Sequence, residues 1–335
     1  MIPQHLDMRI LITTQKVDMD DSNLSFFHAW IAEFARHYEQ VTVICLELGR
    51  IELPSNVQVY SLGKERGNYR VARLFNFYKY LISLWSKYER VFVHMNPEYV
   101  LLGAPLWRMG GKHVSLWYTH KHVDSKLRLA EKLINIIFSA SPESFRLASH
   151  KLRVVGHGID VNKFNPNDTK WEERGGILSV SRISRAKNIE LIATATDSLD
   201  VPVTIVGEPI TKQDGDYYDS LLAKNYGNIK FAGPKAHSAL GPYYKRAKVF
   251  INLSDTGSID KAVLEAMASG CLPLVSNEAF RSVLNSKYLV SKDRQEIETK
   301  AKSLLASPPD LELVKYVRDN HGLARLIKLI VEMLA

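Results

Sequence analysis

Twelve short runs of aliphatic and β-branched residues recur along this chain, separated by longer stretches that include amphipathic segments. Seven fall in the first half: Met8–Thr14, Val41–Leu46, Val57–Ser61, Val91–Met95, Val114–Tyr118, Ile136–Ser139 and Leu152–Val155. Five fall in the second: Ile177–Val180, Pro202–Val206, Ile229–Ala232, Val249–Leu253 and Leu272–Ser276. The runs are apolar at successive positions, so both faces of each strand expect cover, as in parallel sheets flanked by helices. Intervening segments such as Leu24–Tyr38, Tyr69–Tyr88 and Lys187–Leu199 have the length of crossover helices. This β-α alternation predicts doubly wound α/β sheets. At 335 residues the chain exceeds one ordinary core and suits two domains.

The run Gly156–Gly176 interrupts the alternation. It is polar, carries Gly and Pro, and precedes a fresh strand, so it reads as an interdomain linker. The expected domains are 1–160 and 161–319. Leu323, Leu326, Ile327, Ile330 and Met333 lie at helical spacing, which predicts a helix over 320–335 that packs back on the first domain. Cys45 and Cys271 sit in apolar stretches and are expected as buried free thiols. The start has no signal-peptide pattern, and no stretch approaches the roughly 20 apolar residues of a membrane span. The expected location is the cytoplasm, or the inner face of the plasma membrane as a peripheral protein. Net charge is +8, but the basic residues are scattered and match no nucleic-acid reader, so no nucleic-acid partner is expected.

Two segments carry candidate chemistry. In SVSRISRAKNIELI (179–192) a strand ends, a basic loop follows and a helix begins. Ligands of open α/β sheets bind outside the carboxyl ends of the strands, so Arg182, Arg185 and Lys187 stand where a phosphate would. In NLSDTGSIDKAVLEAMASGCLPLVSN (252–277) the loop Ser254–Ser258 leads into a helix starting near Asp260. Its first N–H groups and the loop amides make an anion site. Glu265 is flanked by Leu264 and Ala266, which predicts a partly buried carboxylate in need of partners. A ribose diol supplies two donors; an i,i+4 pair with Lys261 is the structural alternative.

The ordered series G-H-G-I-D, S-R-x-x-x-x-K, V-G-E, F-A-G and L-E-A-M-A-S-G-C-L-P-L-V resembles the family-4 retaining glycosyltransferases over Ile177 to Ser276, and more loosely elsewhere. The resemblance implies a GT-B fold, two Rossmann-like doubly wound domains facing a cleft: an N-terminal acceptor-side domain and a C-terminal donor domain. It implies transfer of a sugar from a nucleoside-diphosphate sugar to a glycan or lipid-linked hydroxyl acceptor, in cell-surface polysaccharide or glycolipid synthesis. Arg182 and Lys187 would hold the diphosphate, Glu265 the ribose, and Gly233 would lie near the base. The loop of Gly257, Ser258, Ile259, Asp260 and Lys261 would wrap the diphosphate and sugar. Two departures stand out. Gly257 replaces the first of two spaced glutamates, with Asp260 as a substitute or a helix cap, and TTQKVDMDDSNLSFF lacks the glycine-rich turn after the first strand. Other readings of the same features are a nucleotide-sugar epimerase, a phosphorylase, or a non-catalytic nucleotide-sugar-binding module.

WYTHKHVDSK (117–126) places His120 and His122 at the end of a strand, and the resemblance gives His120 a hydrogen bond to the donor sugar. DMDD (18–21) and DGD (214–216) are the acidic strings to weigh for a cation. Cationic side chains and a helix terminus already neutralise a diphosphate, so neither metal nor cofactor is expected. In Lys64–Arg90, Val71, Leu74, Phe75, Tyr78, Leu81, Ile82 and Trp85 form the expected core stripe. A second stripe holds Arg70, Arg73, Phe77, Tyr80, Leu84 and Lys87. The alternative use of this segment is an anionic membrane surface.

Overall fold

The computed structural model describes residues 6–21, 24–167, 169–255 and 257–335, with side chains from Met8 onward. Ser22, Asn23, the linker residue Asp168 and Thr256 of the Ser254–Ser258 loop lie outside them. The chain forms two compact units, 1–158 with 323–335, and 159–322.

In the first unit seven strands are β1 (Leu6–Val17), β2 (Tyr38–Leu48), β3 (Val57–Ser61), β4 (Arg90–His94), β5 (His113–Trp117), β6 (Ile136–Ser139) and β7 (Leu152–Val154). They pair in parallel in the order β3-β2-β1-β4-β5-β6-β7. Its helices are α1 (Ser25–Ala35), α2 (Arg70–Ser83), α3 (Pro97–Met109) and α4 (Ser125–Leu133). Successive strand residues enter opposite cores. Ile10 and Ile12 join a cluster with Phe27, Trp30 and Leu326, while Leu11 joins one with Phe77, Trp107 and Leu127. That is the two-sided burial expected of parallel strands.

The second unit holds β8 (Ile177–Val180), α5 (Ile189–Thr196), β9 (Val203–Val206), α6 (Lys212–Leu222), β10 (Ile229–Phe231) and α7 (Gly241–Arg246). β11 (Val249–Asn252), α8 (Lys261–Ala268), β12 (Leu272–Val275), α9 (Arg294–Leu305) and α10 (Leu311–His321) complete it. Its strands are parallel in the order β10-β9-β8-β11-β12. In both sheets the order reverses beside the first strand, at β1/β4 and at β8/β11. That reversal opens a crevice at the carboxyl edge.

Helix α11 (Leu323–Leu334) buries Leu326, Ile327 and Ile330 in the core that α1 also covers. Cys45 and Cys271 are free and buried, and burial pushes both thiols up to about 12, which leaves them unreactive at neutral pH.

Helix α2 departs from expectation. Phe77, Leu81 and Leu84 are buried, whereas Val71, Phe75 and Ile82 of the expected core stripe are 79%, 68% and 67% exposed. The two apolar stripes lie side by side on one helix. The buried face draws Leu81 from the expected core stripe and Phe77 and Leu84 from its neighbour, so tertiary packing selects a face that periodicity alone does not fix.

Candidate functional site

Residues of the second unit converge outside the β8/β11 reversal. β8 ends at Val180, and the chain turns through Ser181–Ser184 into a short 3-10 turn over Arg185–Lys187. Asn188 then adopts left-handed backbone (φ 50°) before α5. Its side-chain amide donates to Leu253 O at 2.7 Å and Asp255 Oδ2 at 3.0 Å, and Asp255 N–H donates to Ala186 O at 3.0 Å. These bonds tie the basic loop to the end of β11. Gly207, at φ 147°, allows the second close approach: a Cβ there would stand 1.8 Å from Ser181 O, so only glycine fits.

At this junction Lys187 Nζ donates to Asp260 Oδ2 at 2.7 Å and to Ser254 Oγ at 3.0 Å. Asn252 Nδ2 donates to the same Asp260 oxygen at 3.2 Å. Asp260 occupies the N-cap position of α8, yet its side chain makes no cap hydrogen bond. It is therefore a partner of Lys187 rather than a helix cap. The carboxylate still sits beside the partly positive helix N-terminus, which favours its charge. The result is a cation, a helix terminus and a carboxylate in one place. An incoming diphosphate would compete with Asp260 for Lys187.

Glu265 lies on α8 and is 3% exposed. Its Oε1 is 2.8 Å from His237 Nε2, and its Oε2 accepts from Tyr244 OH at 3.1 Å. Burial pushes its pKa up, but the His237 bond and charge, the Lys261 charge and the Tyr244 bond together hold it below the ordinary value. Glu265 is thus an ionised acceptor. Each carboxylate oxygen accepts more than one bond, so capacity for hydroxyl donors remains. Lys163 Nζ donates to His237 O at 2.6 Å and steadies the histidine. Burial pushes the Lys261 ammonium, one turn before Glu265, down to about 8; the Glu265 charge opposes that shift and the Lys163 charge adds to it.

The other expected residues fall as follows. Arg182 is exposed on the loop after β8, whereas Arg185 lies over the Tyr217 ring at 5.0 Å and is directed toward α6. Gly233 (φ 68°) follows β10, and Gly207 N–H donates to its carbonyl at 3.0 Å. Ile259 is 8% exposed, and Asn277 Nδ2 donates to Ser258 O at 2.7 Å, which fixes the loop before α8. Gly257 has φ 61°. A glutamate at that position would carry the left-handed strain of about 1–2 kcal/mol. In the first unit, His120 is exposed after β5, and its Nδ1 accepts from His122 N–H at 3.0 Å. That bond leaves Nε2 as its protonated nitrogen in the neutral ring.

Both acidic strings are engaged by the protein. Asp214 and Thr211 form a reciprocal capping box at α6. Asp18 and Asp21 pair with Lys16 at 3.3 and 2.8 Å, and Asp20 with Arg50 at 2.7 Å.

Sequence reasoning missed His237, Tyr244, Lys163, Asn252 and Asn188. His237, Tyr244 and Asn252 are partners of the named Glu265 and Asp260, Lys163 holds His237, and Asn188 ties the two loops together; no spacing marks them. It also missed the β1/β4 reversal of the first unit. There Thr14 Oγ1 is 3.1 Å from His94 Nδ1, and the His94 ring stacks on Phe27 at 3.9 Å. Met95 follows with φ 66°, a strained value for an unbranched non-glycine residue, and its Sδ accepts from Thr119 N–H and Oγ1 at 3.4 and 3.3 Å. This strained residue anchors the loop that carries His120. A cleft of about 370 Å³ lined by Ile177, Leu178, Thr204 and Tyr243 lies elsewhere, on the amino half of β8 and β9.

A lysine, a helix N-terminus and a buried ionised carboxylate thus meet at the reversal of a parallel sheet. Residues 161–320 match the family model of the glycosyl transferases group 1. That match lies within the second unit and spans just under half of the chain. The chain is 29% identical over 144 residues to a sulfoquinovosyl transferase of Arabidopsis thaliana, a match covering 39% of this chain and 27% of that protein. Anabaena HepE in complex with UDP and glucose superposes with a TM-score of 0.71 at 14% identity, over 98% of this chain and 99% of that one. A UDP-GlcNAc 2-epimerase of Methanocaldococcus jannaschii superposes with a TM-score of 0.62 at 13% identity, over 97% and 99%. At such identities these likenesses establish the GT-B fold and not the reaction.

Proposed function

We propose that the chain is a retaining glycosyltransferase that moves a sugar from a nucleoside-diphosphate sugar to a hydroxyl of a glycan or lipid-linked acceptor, in cell-surface polysaccharide or glycolipid synthesis. The observation that carries this reading is the junction of Lys187, Asp260 and the α8 N-terminus, one turn from the buried Glu265, within the segment that matches the group 1 model. The second unit is the donor domain, and the first, with His120, is the acceptor side.

In this reaction the acceptor oxygen bonds to the anomeric carbon as the bond from that carbon to the diphosphate oxygen breaks. The acceptor proton passes to the departing phosphate oxygen on the same face, which retains the anomeric configuration. Lys187, Arg182 and the α8 terminus stabilise charge on the leaving group. Glu265 positions the ribose, and Asp260, released from Lys187, accepts hydroxyls of the sugar. His120 Nε2–H donates to the sugar. Gly233 borders the base, and the amides around Gly257, Ser258 and Ile259 wrap the diphosphate with Lys261. Because these groups neutralise the diphosphate, no metal is required, and EDTA is expected to leave turnover unchanged; loss of turnover restored by Mg²⁺ or Mn²⁺ would remove that part of the reading.

The titration of Lys261 gives a pH signature. The diphosphate favours the charged ammonium, so donor affinity is expected to fall as pH rises through about 8, and Lys261→Met to flatten the profile. The folded pKa lies below the unfolded one, so the same group stabilises the ligand-free protein progressively between about 8 and 10.5. Calorimetric titration of nucleoside diphosphate across this range checks the first sign, and thermal melting the second.

The epimerase that shares the fold keeps a second reading in play, and Gly257 together with the Lys187–Asp260 pair favours a third, a non-catalytic binding module. Product analysis separates them. Transfer to an acceptor with a retained linkage supports the proposal. Conversion of donor alone identifies an epimerase, and phosphate-dependent glycan cleavage a phosphorylase. Donor binding with no turnover over an acceptor panel identifies the module.

A further inference from the structure

Folding buries Leu81 of the first apolar stripe of α2 and half-buries Tyr78 and Trp85, but leaves the outer edge of that stripe in solvent. Val71, Phe75 and Ile82 are 79%, 68% and 67% exposed, and Tyr69, just before the helix, is 85% exposed. Positions 71, 75 and 82 are four and seven residues apart, so they share one side of the helix. Single exposed apolar residues are ordinary, but an aligned set of large ones marks a contact surface.

The charge around the stripe identifies what it contacts. Residues 64–90 carry seven basic and two acidic side chains. Both acids are engaged locally: Glu65 accepts from Ser61 Oγ at 2.8 Å and Leu48 N–H at 3.3 Å, and Glu89 pairs with Arg9. Arg70, Lys79 and Lys87 are exposed, and no ion pair involves them among the described residues. A second copy of the chain would set these bases against their own like charges. An anionic bilayer instead takes aromatic and aliphatic groups at the acyl boundary and bases at the headgroups. No helix among the described residues is long and apolar enough to cross a membrane, so any such contact is made at the surface.

We propose that the outer face of α2 docks the chain on an anionic lipid bilayer, through Val71, Phe75 and Ile82 flanked by Arg70, Lys79 and Lys87. This rests on the first unit alone and is independent of the donor reading. The test is co-sedimentation of the full chain with vesicles of phosphatidylcholine alone, or with about one-third phosphatidylglycerol. Each base near the surface contributes about fivefold in binding. The chain should therefore sediment at least about tenfold more strongly with the anionic vesicles, and lose this preference at high salt. Arg70→Glu with Lys79→Glu, and separately Phe75→Ser with Ile82→Ser, should each reduce sedimentation at least about tenfold while thermal midpoints stay unchanged. Equal sedimentation with both vesicle types, or none with either, overturns the proposal from the native chain alone, whatever the variants do. Binding unaffected in either folded variant also overturns it, as does a concentration-dependent dimer that Phe75→Ser abolishes.

Discussion

Glu265→Ala is expected to lower sugar transfer at least about tenfold, roughly 1.4 kcal/mol or more in the barrier, and to cost about 1–3 kcal/mol of stability. The two effects have separate causes. The carboxylate accepts from Tyr244 OH at 3.1 Å and stands 2.8 Å from His237 Nε2. Tyr244 is fully buried, so removing the acceptor leaves its hydroxyl without one. That desolvated group accounts for the stability loss. The transfer loss arises from the acceptor capacity that the ribose diol would use. Glu265→Gln separates the causes: it preserves volume and one acceptor oxygen but removes the charge. Its thermal midpoint should lie nearer the native value than that of Glu265→Ala, while its donor affinity should remain weakened. Melting curves and donor titrations of the two variants check this. Native-like turnover in Glu265→Ala would remove the residue from the site.

Lys187→Ala is expected to lose more than a single phosphate contact contributes, because the lysine neutralises Asp260 as well as attracting the ligand. With the amine gone, the Asp260 carboxylate faces the diphosphate position uncompensated, and like charge at that range repels. The single variant should therefore fall well beyond about tenfold in kcat/KM, and Lys187→Ala with Asp260→Asn should recover part of that loss. Asp260→Asn alone should bind nucleoside diphosphate more tightly, since Lys187 no longer has a competing anion. Steady-state kinetics of the four proteins form a double-mutant cycle whose coupling term reports the pair directly. Simple additivity would mean that the 2.7 Å ion pair has no part in donor binding.

The parallel sheets were legible because burial on both strand faces writes apolar residues at consecutive positions, as in Ile10, Leu11 and Ile12. The site was legible where chemistry follows topology. Lys187 and Asp260 come together because the loops after β8 and β11 meet at the reversal of strand order, so a basic loop and a helix start could be placed there from the sequence. What Asp260 does there was not legible, since a cap and an ion pair use the same residue at the same position. His237 was hidden for a different reason: it is brought to Glu265 across 28 residues by the turn after β10, and no local pattern encodes that contact. The α2 stripes show the same limit. Helical periodicity established both apolar stripes, while the burial of Phe77 and Leu81, one from each stripe, and the exposure of Val71 and Phe75 depended on the shape of the sheet surface the helix meets.

The central claim is that the second unit holds a nucleoside-diphosphate sugar through Lys187 and Glu265. Thermal melting of the native chain and of Lys187→Ala, with UDP, GDP, ADP and their sugars over a concentration series, tests it most directly. A ligand that binds only the folded state raises the midpoint with the logarithm of its concentration over its dissociation constant. The account predicts that one nucleotide series raises the native midpoint in this way and that Lys187→Ala loses most of the rise. Midpoints that no nucleotide or nucleotide sugar moves, or a rise that survives unchanged in Lys187→Ala, would contradict it.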